Sequence, residues 1–456
     1  MIKKILPILF LISSITYAQN TIKGSISPKI KTDWLILYKI EGTKQIFVNN
    51  TTIKTDSVVI NGKNEAVSSF EVKLPSYAKP GTYRATYKLE GAGFVDFFYN
   101  KEDVSFIFNP KYPQESLAFT TSSENIFYQN YINDISVVQK QLDSLQIAVL
   151  QNPELDYKLQ YKKAFKKVDS VQNKYITDAK NKYVAPFIMA SARNNPPEIL
   201  TSVTSYLANI KNTYFNHLDF NNKALVNSSF LTNRVLDYVF YINYSDDASK
   251  QQSIFKTSIE TVLSKVKSDT YKRDIIQFLI EQFEASKNLE IIDYRFNNHY
   301  NKLPISLQDS KFKTEKQALF AVEVGRVAPD FSWTENGKNF KLSTLNDAEN
   351  YVLVFWSTSC SHCLKEIPEL HTFMQNKPKM KVIAFALEND SFVWETYKKT
   401  NLFGWHNVLG LQKWKNKTAR TYQVYATPTY LILDKNKKII GKPNAIDDVK
   451  EFLNKM

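Results

Sequence analysis

The sequence predicts a multidomain chain: an all-β sandwich, then an all-α region, then an α/β sandwich domain. Three observations predict it. Up to about residue 118 apolar and polar residues alternate in short runs, which is the period of half-buried strands. From Ser122 onward apolar residues recur every three or four positions, which is the period of a helix face. Beyond about residue 322 strand-like and helix-like stretches take turns, the order of an α/β fold.

The first 18 residues read as a processing segment rather than as structure. Lys3 and Lys4 precede a short apolar run, Ile5 to Ile12, interrupted only by Pro7. Thr16-Tyr17-Ala18 followed by Gln19 fits a small-residue cleavage site. This is the pattern of a secretory signal peptide, and its apolar run is too short to span a bilayer. No cysteine follows the cleavage site, which argues against a lipid anchor. The expected location is periplasmic, as a soluble protein. Loss of Lys3 and Lys4 lowers the formal net charge from +14 to +12. Export and the even spread of lysines argue against nucleic acid as a partner, and leave peripheral contact with an anionic envelope surface as the reading of the charge. Lys162, Lys163, Lys166 and Lys167 follow helical spacing and read as a solvated face.

Residues 19–120 make the β domain. Its runs include Trp34 to Tyr38, Ser57 to Ile60, Phe70 to Leu74, Thr82 to Leu89 and Phe94 to Tyr99. Asn61-Gly62 and Pro80-Gly81 supply turns between them. Nothing in this part resembles a catalytic constellation. Residues 121–320 make the helical region. Ile126, Ile132, Ile135, Val138, Leu142, Leu145 and Val149 form one apolar stripe, and Phe165, Val168, Val171 and Tyr175 another. Thr121 with Glu124 fits a capping box. Asn152-Pro153-Glu154 reads as an N-cap followed by proline at the first helical position. Asn194-Asn195-Pro196-Pro197 reads as a break between helices, and Tyr271 to Phe283 as a further amphipathic helix. His217 and His299 read as structural.

Residues 321–456 make the α/β domain. Strand runs are Val352 to Trp356, Lys381 to Leu387 and Thr429 to Leu433. Helical runs are Cys360 to Met374, Ser391 to Thr400, Lys415 to Gln423 and Ile446 to Asn454. The chain's two cysteines both lie here, as Cys360-Ser361-His362-Cys363 between a strand and a helix. A helix N-terminus offers free N–H groups and partial positive charge, which stabilise a thiolate. Cys360 is therefore the expected nucleophile and Cys363 the expected resolving thiol of dithiol–disulfide exchange. With no further cysteine for a structural staple, this pair is expected to cycle. The competing reading of Cys-x-x-Cys is a zinc site, which usually takes four ligands. His371 and His406 do not make a convincing complement, so no metal and no cofactor is expected.

Four segments give this domain a family resemblance. Gly325-Arg326-Val327-Ala328-Pro329-Asp330-Phe331 is a G-x-x-A-P-x-F lead-in, Phe355 to Cys363 an active-site strand and helix start, Cys363-Leu364-Lys365-Glu366-Ile367-Pro368 a C-x-x-E-x-P continuation, and Ala426-Thr427-Pro428-Thr429 a cis-proline loop. Together they resemble the exported TlpA/ResA-like thiol–disulfide oxidoreductases of the thioredoxin superfamily. The first 120 residues also resemble a β domain of unknown function that often precedes such modules in Bacteroidetes proteins.

The resemblance implies a thioredoxin-like fold, protein substrates carrying disulfides or thiols, a membrane thiol-electron carrier as partner, and service in cytochrome c maturation. It implies that Thr427 and Pro428 meet the substrate chain and that Glu366 tunes the cysteine pair. Two departures bear on the tuning. Val354 stands where ordinary thioredoxins have a buried aspartate, which shifts any proton relay to Glu366. His362 stands where thioredoxins usually have proline, as in DsbA-type sequences, and its imidazole is expected to stabilise the Cys360 thiolate and so the reduced form. The leading expectation is a reductant of protein disulfides. The alternatives are a disulfide-forming oxidant of DsbA-like poise, and an envelope binding or scaffold protein with a redox-regulatory module. A peroxidase is disfavoured, because the P-x-x-x-[ST]-x-x-C segment of peroxiredoxins is absent.

Overall fold

Strand pairing in the N-terminal part follows the alternation of its sequence. The computed structural model describes residues 19–456 except 61, 62, 90, 92 and 402. The signal-peptide reading and the Asn61-Gly62 turn therefore lie outside the described residues. Residues group into two units, one ending at Leu307 and one running Gln308–Met456.

In the first unit, strands from residues 21 to 121 form a five-stranded and a four-stranded sheet. Both contribute to one core: Ile22, Phe70 and Phe106 from the first, Leu37, Tyr83 and Phe97 from the second. Alternate burial along Phe94–Tyr99 shows the period-2 pattern directly. A 29-residue helix, Ser123–Gln151, follows the last strand.

Two caps differ from expectation. The helix at Ser123 is capped by Ser122, whose side chain accepts from the Asn125 N–H, not by Thr121. The Ser122 hydroxyl takes the cap one residue later without a box partner, and Glu124 is committed elsewhere. Its carboxylate is buried and accepts from the Tyr183 and Val184 N–H groups (3.0 and 3.1 Å). Asn152 ends that helix, its N–H bonding the Ala148 carbonyl, and the next helix starts only at Lys158. Asn194 to Pro197 do separate two helices, Ala185–Ser191 and Val203–Thr213. Among the described residues no helix is long and apolar enough to cross a membrane.

The second unit contains β1 (Ser332–Glu335), β2 (Lys338–Lys341), β3 (Asn350–Trp356), β4 (Met380–Glu388), β5 (His406–Leu411), β6 (Thr429–Asp434) and β7 (Ile439–Gly441). Its α-helices are α1 (Ser310–Ala321), α2 (Ser361–Met374), α3 (Phe392–Asn401), α4 (Lys417–Thr421) and α5 (Ile446–Asn454). β5, β4, β3, β6 and β7 form one sheet in that order. β3 runs parallel to β4, and β4 to β5, while β6 and β7 are antiparallel. β3 is central and buried on both faces, as a near-continuous apolar run requires. Leu353 and Phe355 face one core layer, Val352, Val354 and Trp356 the other.

β1, β2, β5, β7 and α1 were not legible as elements. β5 is an edge strand that opens on His406-Asn407 and contains Gly410. The lead-in segment closes one end of the layer. Gly325 adopts φ +98°, open to glycine, and Phe331 packs on Phe385 and Tyr422.

Asp347 ties the starts of three strands. It accepts from Lys381 (2.8 Å) in β4, His406 (2.9 Å) in β5 and the Tyr351 hydroxyl (3.1 Å) in β3. Burial works against its charge, but these partners outweigh it and hold the carboxyl down at about 2. A depressed carboxylate stabilises the fold above its unfolded value near 3.8 and loses that contribution as pH falls toward about 2. Asp347→Asn is expected to lower the urea midpoint at neutral pH and to flatten the loss of stability between pH 4 and pH 2. Urea midpoints of both proteins across that range test it.

Candidate active site

The β3 strand delivers its chain to the end of α2 through a three-residue loop, Ser357-Thr358-Ser359. Cys360 then occupies the N-cap position itself. Its φ and ψ are −102° and 114°, and its Sγ accepts from the Cys363 N–H at 3.2 Å. A sulfur here does what a capping oxygen does, satisfying one of the free N–H groups of the first turn. The Cys360 thiol also donates to the Thr427 carbonyl at 3.3 Å. The Thr427–Pro428 bond is cis, and β6 begins directly after it. Cys360, Cys363, Thr427 and Pro428, predicted from separate parts of the chain, thus form one cluster.

The two thiols are free, and their surroundings differ. Cys360 is partly exposed, whereas Cys363 is fully buried among Val354, Ile367 and Tyr430. Burial opposes the Cys360 thiolate, but hydrogen bonds from the Cys363 and Thr427 side chains and from the Cys363 and His362 backbone N–H groups hold its pKa below the ordinary thiol value. Burial and the neighbouring Cys360 push Cys363 up to about 12. One helix turn therefore carries one activated and one suppressed thiol.

His362 and Glu366 sit differently from one another. His362 is exposed, and its backbone N–H is the smallest of the influences that lower the Cys360 pKa. Glu366 is half-buried on the inner side of α2. One carboxylate oxygen accepts from the Tyr430 hydroxyl (2.9 Å) and from the Ile446 N–H (3.1 Å) at the start of α5. Tyr430 packs in the same layer as Cys363, and both Glu366 and Cys363 raise its pKa after burial does. The hydroxyl of Tyr430 is thus a polar group shared by the carboxylate and the buried thiol's surroundings.

Two further residues hold the loop, and the sequence reading missed both. Glu388, the last residue of β4, is buried and accepts from the Thr358 N–H (2.6 Å) and the Ser357 hydroxyl (3.3 Å). Lys413 donates to the Ser359 hydroxyl (2.7 Å), next to Cys360. A carboxylate closing an otherwise apolar strand run was the available signal for Glu388. No local signal marks Lys413, which arrives from 54 residues away. Among the described residues, no group of three His, Cys, Asp or Glu is placed to hold a metal ion.

Comparison with known proteins agrees with this geometry. Residues 323–454 match the Redoxin family. A thiol-disulfide oxidoreductase ResA of Bacillus thuringiensis is 29% identical over 129 residues, which cover 27% of this chain and 73% of that protein. A ResA of Geobacillus thermodenitrificans is 28% identical over 148 residues, 32% of this chain and 82% of that protein. Among solved structures, a domain of a possible thiol-disulfide isomerase from Cytophaga hutchinsonii is 29% identical, with a TM-score of 0.26, covering 29% of this chain and 92% of that one. By the family match and the ResA relatives alone, the C-terminal unit is of the thioredoxin superfamily, and its enzyme class is thiol–disulfide oxidoreductase. Within that class it is TlpA/ResA-like.

Proposed function

We propose that this unit exchanges disulfides with protein clients through Cys360 and Cys363, and that it works in the reducing direction outside the cytoplasm. The observation that carries the reading is the pairing of an activated thiol at the α2 N-cap with a suppressed thiol one turn on. In the reduced form the Cys360 thiolate attacks one sulfur of a client disulfide, and the client's other sulfur leaves as a thiolate. Cys363 then loses its proton and attacks the mixed disulfide at Cys360. The client leaves with two thiols, and the enzyme keeps the disulfide, so two electrons have passed to the client.

Thr427 and Pro428 line the approach to Cys360 and meet the client chain there. Glu366, through the Tyr430 hydroxyl, assists removal of the Cys363 proton, the step that burial makes slow. Regeneration of the dithiol calls for a membrane thiol-electron carrier, and cytochrome c maturation is the process that the ResA likeness suggests. Export rests on the pattern of Lys3, Lys4 and the apolar run before Gln19.

A glutathione titration tests both chemistry and direction. The reading predicts an intramolecular Cys360–Cys363 disulfide with a potential on the thioredoxin side of the scale, whose ends lie at about −270 mV for thioredoxin and about −120 mV for DsbA. A potential near the DsbA end would support the oxidant instead, and failure to form the disulfide would refute the exchange chemistry. Variants at His362 separate its two groups. Proline lacks the N–H that reaches Cys360, so His362→Pro should lower the potential, by about 30 mV for each tenfold loss of relative stability of the reduced form. His362→Ala keeps that N–H and should shift the potential far less.

A further inference from the structure

One stretch of the C-terminal unit has an unbalanced charge. Between Glu395 and Asp434 there is no acidic residue, while Lys398, Lys399, Lys413, Lys415, Lys417 and Arg420 all fall inside it. Lys398 pairs with Glu335 away from this patch, and Lys413 reaches the loop beside Cys360. Lys415, Lys417 and Arg420 are exposed on the turn and short helix that follow. Among the described residues, none of these three has a carboxylate within ion-pair range.

The same segment carries large aromatic groups at the surface. Trp414 is 43% and Tyr425 81% exposed. They share a crevice of about 490 Å³ with Arg420, floored by Val424. The chain that lines the crevice continues to the reactive thiol on both sides. Trp414 follows Lys413, which touches Ser359. Tyr425 lies two residues before Thr427, whose carbonyl contacts Cys360 Sγ.

We infer that this basic and aromatic face is the client-docking surface, and that it takes an acidic polypeptide segment with an apolar or aromatic residue next to its cysteine. The inference rests on the thiol-exchange reading above and adds the class of substrate to it. Charge complementarity selects the partner's sign and speeds encounter. Exposed Trp, Tyr and Arg around a small crevice are the residue types that anchor protein partners. An anionic lipid surface would also suit the lysines, but an aromatic-lined crevice, on a segment that leads to the thiol, fits an extended chain better than a flat headgroup layer.

Peptide disulfide dimers test it on the reduced full-length protein. One peptide carries Asp and Glu around a Phe-Cys pair, the second has Lys in place of the acids, and the third has Ser in place of Phe. Each stopped-flow rate is divided by that peptide's rate with dithiothreitol, which removes intrinsic differences between the disulfides. The acidic Phe peptide should react at least about tenfold faster than its lysine analogue at low ionic strength. The difference should shrink toward unity in about 1 M salt, where screening acts within about 3 Å. The triple change Lys415→Gln, Lys417→Gln, Arg420→Gln should bring the ratio near one, and Trp414→Ala should erase the advantage of Phe over Ser. The salt series on the unmodified protein stands even if a variant folds poorly. Equal normalised rates, or a preference for lysine, would overturn the inference while leaving the exchange chemistry intact. So would equal peptide rates with tight binding to phosphatidylglycerol vesicles, which would assign the patch to a membrane surface. No exchange with any peptide or with hydroxyethyl disulfide would overturn the underlying reading, and the inference with it.

Discussion

Cys360→Ser is expected to remove disulfide exchange almost completely, while Cys363→Ser should retain the first step and stall at a mixed disulfide. The asymmetry follows from position. Cys360 is partly exposed and its thiolate is held by the first turn of α2. A serine hydroxyl at the same place is a far weaker nucleophile, because only the thiolate carries the chemistry. Cys363 is fully buried and its thiol is pushed up to about 12, so it cannot begin an attack on an external disulfide near neutral pH. It can finish one, because Cys360 lies one helix turn away. Non-reducing electrophoresis after incubation with a disulfide-bearing protein reads the outcome. A covalent adduct should accumulate with Cys363→Ser and not with Cys360→Ser. Adducts from the opposite variant would reverse the assignment.

A second large effect is expected in the core that supports the site. Phe355 is fully buried in central β3, with ring centroids 5.1 Å from Phe385 and 5.1 Å from Tyr422. Truncation to alanine leaves a cavity beside Phe385 and Tyr422 on that face of the sheet, and changes of this kind cost about 3–5 kcal/mol. A domain is stable by only about 5–15 kcal/mol, so Phe355→Ala should consume a large part of the margin. The next residue but four is Cys360, so the loop bearing the nucleophile hangs from the weakened strand. Labelling of the buried Cys363 in the Cys360→Ser background, along a urea gradient, reports unfolding of this unit alone. Its midpoint should fall markedly. An unchanged midpoint would mean that the layer repacks around the cavity, contrary to the packing described.

The reach of the sequence reading follows from where each piece of information lies. The strand, cysteine pair and helix were legible because they are contiguous: an apolar run from Tyr351, two cysteines three apart, then helical spacing to Met374. The association of Thr427 and Pro428 with Cys360 came from family likeness, since 67 residues separate the Thr427 carbonyl from the sulfur it meets. Glu388, Lys413 and Tyr430 were missed as site residues because their roles exist only after β4, the 413–415 turn and β6 are brought beside the loop. Glu366 was singled out as a partner of the cysteines, yet its direct partners are Tyr430 and the α5 backbone. For His362 the sequence pointed to the imidazole, while it is the backbone N–H that figures among the influences lowering the Cys360 pKa. The shifted cap at Ser122 shows the limit of local patterns: the Thr121–Glu124 box fits the sequence, but Glu124 is buried on the Tyr183 and Val184 N–H groups and Ser122 caps instead.

One turn of α2 carries two thiols of opposite reactivity. The rate of iodoacetamide alkylation of each cysteine in the reduced protein, followed by mass spectrometry from pH 4 to pH 10, tests it most directly. Cys360 should react first at every pH, along a single titration curve with its midpoint below that of an ordinary thiol, and Cys363 should stay unmodified through pH 10. Equal rates, or a Cys360 midpoint at or above the ordinary thiol value, would contradict the claim.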